Sequence, residues 1–265
     1  MTGLIKSLTL ADEARAEVAD LLDLQLSPLG LAAMDALAPT CGQIILDVGC
    51  GAGETVMQLA ERLGITGRVI GVDIASRVLA VAHFRCAQLP QVTLLHDDAA
   101  KLNLPDESVD AVYSRFGVMA FANPILAFSN FRRIIKRGGR IAFVCWRSLR
   151  ENEVDFLPLQ AAGLEVTIDE TPFSFERPDF VTNVLRSAGF GNITVREFDA
   201  SVSSGDVDAM VKVLTKVGPL GKILRENPAL MAEAEPRVRA ALSARRSGGQ
   251  VRLGTATWIV TAIAE

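Results

Sequence analysis

A glycine-rich turn between a predicted strand and a predicted helix constrains the fold of this chain most strongly. The apolar residues 43–48 (QIILDV) predict a buried strand, and residues 54–63 predict a helix that ends at Gly64. The turn between them, Gly49 to Gly53, reads GCGAG. Glycines there permit a tight turn and let a ligand approach the backbone with no Cβ in the way. Because the N-terminus of the following helix presents unpaired N–H groups, a polar ligand is expected at this turn.

Short β-branched runs alternate with helical patterns through the middle of the chain, which predicts βαβ units and a parallel sheet. After the first strand, further strands are predicted over residues 68–72, 92–95, 109–113, 140–146, 193–198 and 255–264. Helices are predicted over residues 76–88, 124–137 and 178–188, and a helical insertion over residues 206–247, broken at Gly218-Pro219, Pro228 and Pro236. We therefore expect a doubly wound, mostly parallel seven-strand α/β sheet with helices on both faces. The last strand is expected to be antiparallel, and the insertion separates strands six and seven.

Composition and charge exclude several classes of function. The net charge of -4 and the sequence pI of about 5.4 argue against a partner held by many phosphate contacts, such as duplex DNA or tRNA. No run of about 18 apolar residues predicts a transmembrane helix, and no signal-peptide pattern is present, so a cytoplasmic protein is expected. The four cysteines form no CxxC pair, and with only two histidines we expect reduced thiols and no metal site.

Three details of the glycine turn narrow the ligand. Glu54 stands where the dinucleotide pattern G-x-G-x-x-G has its third glycine, and an acid there would oppose a pyrophosphate. Asp47, two positions before the first glycine, suits a cationic amino-acid group and does not suit a phosphate. Asp73 ends the second predicted strand about 20 residues beyond the glycines, where a carboxylate can accept hydrogen bonds from both hydroxyls of a ribose.

These residues resemble the class I S-adenosylmethionine-dependent methyltransferases, a seven-strand Rossmann-like family, over residues 44–146. The segment LDVGCGAG is similar to the first motif of that family, which implies that Asp47 lies near the methionine amino group of S-adenosylmethionine. The same motif implies that Gly49 and Gly51 lie at the adenosine and ribose, and Cys50 between them is also expected to bind the cofactor.

VIGVDIA is similar to the second motif of the family, and HDDAAKLNLPDESVDAVYSRFGV is similar to its third and fourth motifs. The first of these segments implies that Asp73 binds the ribose hydroxyls and that Ile74 lies against the adenine face. The other segment implies that Asp98 and Ala99 touch the adenine edge, with Asp97 as the alternative because the register is ambiguous by one residue.

Residues after the fourth predicted strand extend the resemblance. In the family, residues at the positions of Ser114 and Arg115 line the methionine arm. KRGGRIAFVCW is similar to the motif that leads into strand five, with Arg137 in place of the usual proline, a change that affects only a turn. SRFGVMAFANP and the later CWR are similar to the ubiquinone-biosynthesis-like type, which acts on small molecules.

A candidate acceptor pocket lies at the carboxyl edge of the predicted sheet, where open α/β sheets bind ligands. Its four apolar candidates follow strands four and five: Phe116, Met119, Phe121 and Trp146. Ordinary packing between a helix and the sheet explains the same residues, and both interpretations stay open. His83 is expected to be structural, and His96 is a weak candidate for a general base, so no catalytic side chain is assigned.

The sequence therefore predicts methyl transfer from S-adenosylmethionine to a small organic acceptor with an O-, C- or N-nucleophile, without a metal ion. A nicotinamide-dependent oxidoreductase is the alternative, against which Glu54 and the lack of a Tyr-x-x-x-Lys relay count, and a non-catalytic S-adenosylmethionine-binding protein is another. We expect one methyltransferase domain over residues 1–265, and a homodimer is one expected assembly. Residues 1–40 would form a helical cap, 41–147 the cofactor-binding core, and 148–265 the substrate-side helices and the last two strands.

Overall fold

The computed structural model describes the backbone of residues 2–265 and the side chains of residues 9–265. The chain forms two compact units, each assembled from separated segments. The first unit comprises Met1–Pro28, Ser148–Glu170 and Asp199–Ala256, and the second comprises Leu29–Arg147, Thr171–Phe198 and Thr257–Glu265. The division into a cap, a cofactor-binding core and a substrate-side part stays a prediction. No helix in the described part of the chain is long and apolar enough to cross a membrane.

A seven-strand mixed sheet confirms the predicted fold class. The strands of the chain are β1 Ile44–Val48, β2 Arg68–Asp73, β3 Val92–His96, β4 Val109–Arg115, β5 Ile135–Trp146, β6 Phe190–Val202, β7 Arg246–Ser247, β8 Gln250–Val251 and β9 Leu253–Ala264. The sheet has the order β3-β2-β1-β4-β5-β9-β6, and β9 runs antiparallel to β5 while the others are parallel. The two-residue strands β7 and β8 pair only with each other.

Ten α-helices accompany the strands of the described chain. They are α1 Thr2–Glu17, α2 Ala19–Leu37, α3 Glu54–Leu63, α4 Ser76–Cys86, α5 Pro124–Ile134, α6 Glu153–Ala162, α7 Pro178–Ser187, α8 Val207–Leu214, α9 Gly218–Glu226 and α10 Met231–Ser243. The bounds predicted for α3 are confirmed, and Gly64 at its end has φ of 66°, a conformation that favours glycine.

Several boundaries differ from the predicted ones; β6, for example, was predicted over residues 193–198 and spans Phe190–Val202. Two differences have a structural cause. The helix predicted to reach residue 137 ends at Ile134, because Ile135 already pairs with Val109 of β4 and so begins β5. Pro236 was expected to interrupt the helical insertion, but α10 continues through it. Buried side chains on both sides of that proline, Ala234 and Val238, hold the helix together despite the missing N–H.

The first unit contains the helices of the insertion. In α10, Ala234, Val238 and Leu242 recur every four residues and are buried, which forms one apolar face against α6 and α8. The guanidinium of Arg237 donates a hydrogen bond of 3.0 Å to the carbonyl of Ala162 at the end of α6. Apolar burial and a helix-end hydrogen bond therefore both join α10 to α6.

An aromatic cluster forms one part of the core of the second unit. Asn123 caps α5 by accepting a hydrogen bond from the N–H of Leu126, and Pro124 occupies the first turn. The buried face of α5 then carries Phe128 and Phe131, whose ring centroids are 5.5 Å apart. Phe128 also lies 5.6 Å from Phe143 of β5. Each buried phenylalanine contributes about 1.5–3 kcal/mol, so this cluster fixes α5 on the sheet.

Tyr113→Phe tests a buried hydrogen bond that joins α2 to β4. The Tyr113 hydroxyl donates to the carbonyl of Gly30 at 2.8 Å, and the side chain is fully buried. We expect the substitution to lower the free energy of unfolding by about 0.5–1.5 kcal/mol, measured by urea denaturation. Ser108→Ala, which removes an exposed hydrogen bond to Pro105, is the matched control and should change stability by less than about 0.5 kcal/mol. Equal losses in both variants would contradict the structural role.

Candidate functional site

The glycine turn at the carboxyl end of β1 is left-handed at three positions. Gly49, Gly51 and Gly53 have φ values of 71°, 52° and 87°. A Cβ on Gly49 would lie 2.7 Å from the Cα of Gly117, whereas a Cβ on Gly51 would have no protein atom within 4 Å. Gly49 is therefore required for the close approach of two backbone segments. Gly51 borders open space, where a ligand can reach the backbone.

Only the backbone of Cys50 is available to a ligand. Its side chain is buried, and its sulfur would lie 3.0 Å from a Cβ on Gly71 of β2. Burial raises the pKa of the Cys50 thiol far above its usual range, so the thiol stays protonated. Two residues further along the turn, the carbonyl of Ala52 accepts a hydrogen bond of 2.9 Å from the Arg85 guanidinium of α4.

Asp47 places a carboxyl group in the interior at the end of β1. Its side chain is completely buried, and one oxygen, Oδ2, accepts a hydrogen bond from the Thr55 hydroxyl of α3. The other oxygen, Oδ1, is buried with no hydrogen-bond partner. Burial raises the pKa of Asp47 to about 7, opposed by the Thr55 hydrogen bond and the positive charge of Arg115. A buried oxygen without a partner is costly, so this site fits a ligand that brings a cationic donor.

Asp73 links the glycine turn to the start of α4. Its Oδ2 accepts from the N–H of Gly51 at 2.8 Å, and its Oδ1 accepts from the N–H of Ala75 at 2.8 Å. Each carboxylate oxygen has two lone pairs, so both can accept a further hydrogen bond. The next side chain, Ile74, is 71% exposed and presents an apolar surface beside this carboxylate.

The end of β3 brings Asp98 and Ala99 to the same edge of the sheet. Asp98 accepts from the N–H of Ala100 at 3.0 Å and so caps a short 3₁₀ turn that begins at Ala99. Asp97, the alternative, accepts from the N–H of Asp98. The ring nitrogen Nε2 of His96 lies 3.0 Å from the carbonyl of Ile74, so the ends of β2 and β3 are in contact.

Ser114 uses its hydroxyl to join two turns. The hydroxyl donates to the carbonyl of Val48 at 2.7 Å and accepts from the N–H of Gly117 at 3.0 Å. The side chain is buried. These bonds favour a role in holding the turn after β4 against the turn after β1, with any contact to the methionine arm through neighbouring atoms.

An ion pair between Arg115 and Glu54 was not predicted from the sequence. The Arg115 guanidinium donates to the Glu54 carboxylate, and the two side chains are only 11% and 19% exposed. Gly30 of α2 permits this burial, because a Cβ there would lie 2.7 Å from the Arg115 side chain. Strands one and four are neighbours in the Rossmann-like order, and this adjacency is the signal that could have brought together Arg115 at the end of β4 and Glu54 at the start of α3.

Phe116 and Trp146 are brought together by the structure. Their ring centroids are 4.0 Å apart at an interplanar angle of 17°, so the rings stack. Phe116 has φ of 60°, which is uncommon for a residue other than glycine and is tolerated mainly where the surroundings require it. Phe121 instead packs against Phe131 of the aromatic core at 5.8 Å, and Met119 is buried. Two of the four candidate acceptor residues therefore form a pair, and the other two join the packing.

The remaining candidates lie apart from one another. His83 is exposed on α4. The Arg147 guanidinium lies 5.2 Å from the ring centroid of Trp258 and 3.5 Å from the Glu197 carboxylate. Among the described residues, no three His, Cys, Asp or Glu side chains are grouped so that they could hold a metal ion.

Comparisons with known proteins agree with this geometry. The sequence profile of a methyltransferase domain matches residues 45–139, which include β1 to β4, the glycine turn and Asp73. The demethylmenaquinone methyltransferase of Staphylococcus aureus (strain JH9) is 27% identical over 180 residues, covering 62% of this chain and 74% of the relative. These matches support the predicted enzyme, a class I S-adenosylmethionine-dependent methyltransferase.

Solved structures show the same fold for this methyltransferase. The YcgJ protein from Bacillus subtilis superimposes with a TM-score of 0.60 at 16% identity, covering 89% of this chain and 97% of that one. Phosphoethanolamine N-methyltransferase 2 from Haemonchus contortus, in complex with S-adenosyl-L-methionine, gives a TM-score of 0.56 at 17% identity, covering 90% and 53%. The predicted enzyme class and cofactor are confirmed, and no comparison favours an oxidoreductase or a non-catalytic binding protein. The assignments of individual site residues stay predictions.

Two glycine substitutions separate folding from ligand binding at the turn. Gly49→Ala should destabilise the methyltransferase strongly, by about 3 kcal/mol or more, because its methyl group would overlap the Gly117 backbone. Gly51→Ala carries a similar left-handed strain without a clash, so it should cost about 1–2 kcal/mol. Calorimetry should nevertheless show S-adenosylhomocysteine binding weakened at least tenfold in Gly51→Ala. Unchanged binding would mean that no ligand approaches Gly51.

Proposed function

We propose that this methyltransferase acts on a small organic acceptor with a planar ring, held beside the stacked pair of Phe116 and Trp146. The stack is the observation that carries the proposal. It follows the ends of β4 and β5, which are neighbours in the sheet, at the edge where open α/β sheets bind ligands. The ring of demethylmenaquinone, named as the substrate of a 27% identical relative, belongs to this chemical class.

The buried carboxyl of Asp47 supports the placement of the methionine end of the cofactor. Its unpartnered Oδ1 can accept a hydrogen bond from the ammonium group, which replaces the donor that the interior lacks. Gly49 and the backbone of Cys50 would line the neighbouring part of the ligand. Ser114 would act by holding the turns in register.

The nucleoside end would lie across the ends of β2 and β3. Both oxygens of Asp73 retain acceptor capacity for the ribose hydroxyls while they hold Gly51 and Ala75. Ile74 offers its exposed apolar side chain to the adenine face. Asp98 and Ala99 are then the candidates for contact with the adenine edge, next to the 3₁₀ turn that Asp98 caps.

The chemistry requires alignment more than it requires a reactive side chain. When bound, S-adenosylmethionine supplies a methyl group on a positively charged sulfur and leaves as the neutral thioether. The residues of the chain would bind both reactants, exclude water with Phe116 and Trp146, and hold the acceptor in line with the methyl group. No side chain is proposed as a general base, and transfer without a metal ion, a homodimer and a cytoplasmic location stay predictions from the sequence.

Asp73→Ala tests the ribose assignment. We expect the affinity for S-adenosylhomocysteine to fall by about 1.5–3 kcal/mol, the range for hydrogen bonds to a charged group, measured by titration calorimetry. Because Asp73 also accepts from Gly51 and Ala75, Asp73→Asn is the matched variant, since it keeps one acceptor oxygen for the backbone. A stable Asp73→Asn protein with wild-type affinity would remove Asp73 from the site.

Trp146→Ala tests the acceptor site. With a water-soluble demethylated naphthoquinol as acceptor, KM should rise about two- to tenfold, the contribution of one aromatic stack, while S-adenosylhomocysteine affinity is retained. Trp258→Ala, which removes the other tryptophan, is the control and should leave KM unchanged. Turnover of phosphoethanolamine with none of the naphthoquinol would contradict a planar-ring acceptor.

A further inference from the structure

The Arg115–Glu54 ion pair lies next to the carboxyl group proposed to bind the cofactor. Arg115 ends β4, which pairs with β1 in register with Asp47 at Tyr113, and Glu54 begins α3 directly after the glycine turn. Two oppositely charged side chains meet here, and most of each is buried. Buried pairs of this kind are weak evidence for stability, because the desolvation of both charges offsets their attraction. A contribution to stability therefore does not by itself explain the pair.

Several ionisable or polar groups face the Asp47 carboxyl from the surrounding elements. Arg115 supplies a positive charge from β4, and Asp73 supplies a negative charge from β2. Thr55 of α3 donates the one hydrogen bond given to the carboxyl within the protein. The other titratable groups that interact with Asp47 or flank it are Tyr113 of β4, Glu54 of α3, Cys50 of the glycine turn and Cys86 of α4.

We propose that Arg115, which Glu54 holds in place, is a positioning residue that favours the ionised form of Asp47, the form that accepts the ammonium group of S-adenosylmethionine. Glu54 fixes the guanidinium by a hydrogen bond from the first turn of α3. Gly30 admits the arginine stem beneath α2, so the charge stays in the interior where it is screened least. The inference rests on the proposed role of Asp47 in cofactor binding.

The pKa of Asp47 is set by opposing effects, among them burial and the charge of Arg115. Burial favours the protonated form, whereas the Thr55 hydrogen bond and then the positive charge of Arg115 favour the ionised form, which leaves the pKa of Asp47 at about 7. A ligand with an ammonium group binds the ionised form, so its binding should release a proton from Asp47 at neutral pH. A ligand without that group should not depend on this ionisation.

The test compares two ligands of the full-length methyltransferase that differ at the methionine end. S-adenosylhomocysteine carries the amino-acid group, whereas 5′-methylthioadenosine has the same adenine, ribose and thioether sulfur without it. The ratio of their affinities, measured by calorimetry between about pH 5.5 and pH 8, cancels the titration of groups at the nucleoside end. In the wild type this ratio should rise nearly tenfold per pH unit below a midpoint near pH 7 and level off above it.

Arg115→Met should move that midpoint upward by about one pH unit, which lowers the affinity ratio at neutral pH about fivefold. Arg115→Lys keeps the charge and should hold the midpoint within a few tenths of a unit of the wild type. If Arg115→Met does not fold, Arg115→Gln carries the same test, since it removes the charge and retains a donor toward Glu54. Arg133→Met is the matched control, because this arginine holds Asp106 and backbone carbonyls elsewhere in the second unit. It should lower stability and leave the midpoint unchanged.

The outcomes separate this inference from the proposed function. A midpoint that is the same in wild type, Arg115→Met and Arg115→Gln would overturn the role of Arg115 and leave Asp47 as the ammonium site. Equal affinities for the two ligands at every pH in the wild type would overturn the placement of the methionine end itself, and this inference with it. A uniform loss of affinity for both ligands in the Arg115 variants, without a shift of the midpoint, would assign Arg115 a structural role only.

Discussion

The contact between the backbones of Gly49 and Gly117 determines how the rest of the site is arranged. A Cβ on Gly117 would lie 2.3 Å from the carbonyl oxygen of Val48, so neither turn could carry a side chain here. The Ser114 hydroxyl then joins the same two turns by hydrogen bonds. With the turn after β4 held this closely against β1, Phe116 adopts a left-handed conformation and stacks on Trp146. The proposed cofactor site and the proposed acceptor site thus both depend on one backbone contact.

The sequence predicted those parts of the fold that depend on local pattern. The bounds of α3 are confirmed because an apolar period of 3.6 residues lies between Gly53 and Gly64, and glycine punctuates helices. The seven strands were predicted from the alternation of β-branched runs with helical patterns, whereas their order in the sheet was not predicted. The predicted start of β5 was wrong because Ile135 pairs with a residue of β4 that lies 26 residues earlier in the chain. No local sequence pattern indicates such a pairing. The helix break predicted at Pro236 was wrong because the packing of α10 overrides the local preference of proline to end a helix.

In the candidate site, too, local motifs predicted some residues, whereas features that depend on tertiary packing were missed. Residues identified by motif, such as Asp47 and Asp73, lie at the ends of neighbouring strands as the fold requires. The Arg115–Glu54 pair joins positions 61 residues apart, and single-residue patterns carry no information on which charges will meet. Phe121 illustrates the opposite case, because an aromatic residue at the correct edge of the sheet packs into the core. Whether such a residue meets a ligand or its own helix depends on side-chain direction, which a sequence pattern does not determine.

The burial of Asp47 affects both the binding of a cationic ligand and the stability of the folded protein. Because its pKa is raised from 3.8 to about 7, the folded protein favours the protonated carboxyl, and this contribution to stability is lost as pH rises through 7. Above pH 7 the ligand-free protein therefore carries an ionised interior carboxylate at a cost in stability, and a bound cation removes that cost. Asp155, in the first unit, has a pKa raised to about 7 by burial alone, so it contributes a loss of stability over the same pH range.

The place of β9 in the sheet affects how the protein can be made. β9 follows every other strand in the chain, yet it lies between β5 and β6. During synthesis β5 therefore has an open edge, and β6 has no partner, until β9 has left the ribosome. Exposed strand edges invite pairing with other chains, so the interval between the synthesis of β6 and of β9 is when a nascent chain is most exposed to aggregation. The helical insertion of about 40 residues lengthens that interval.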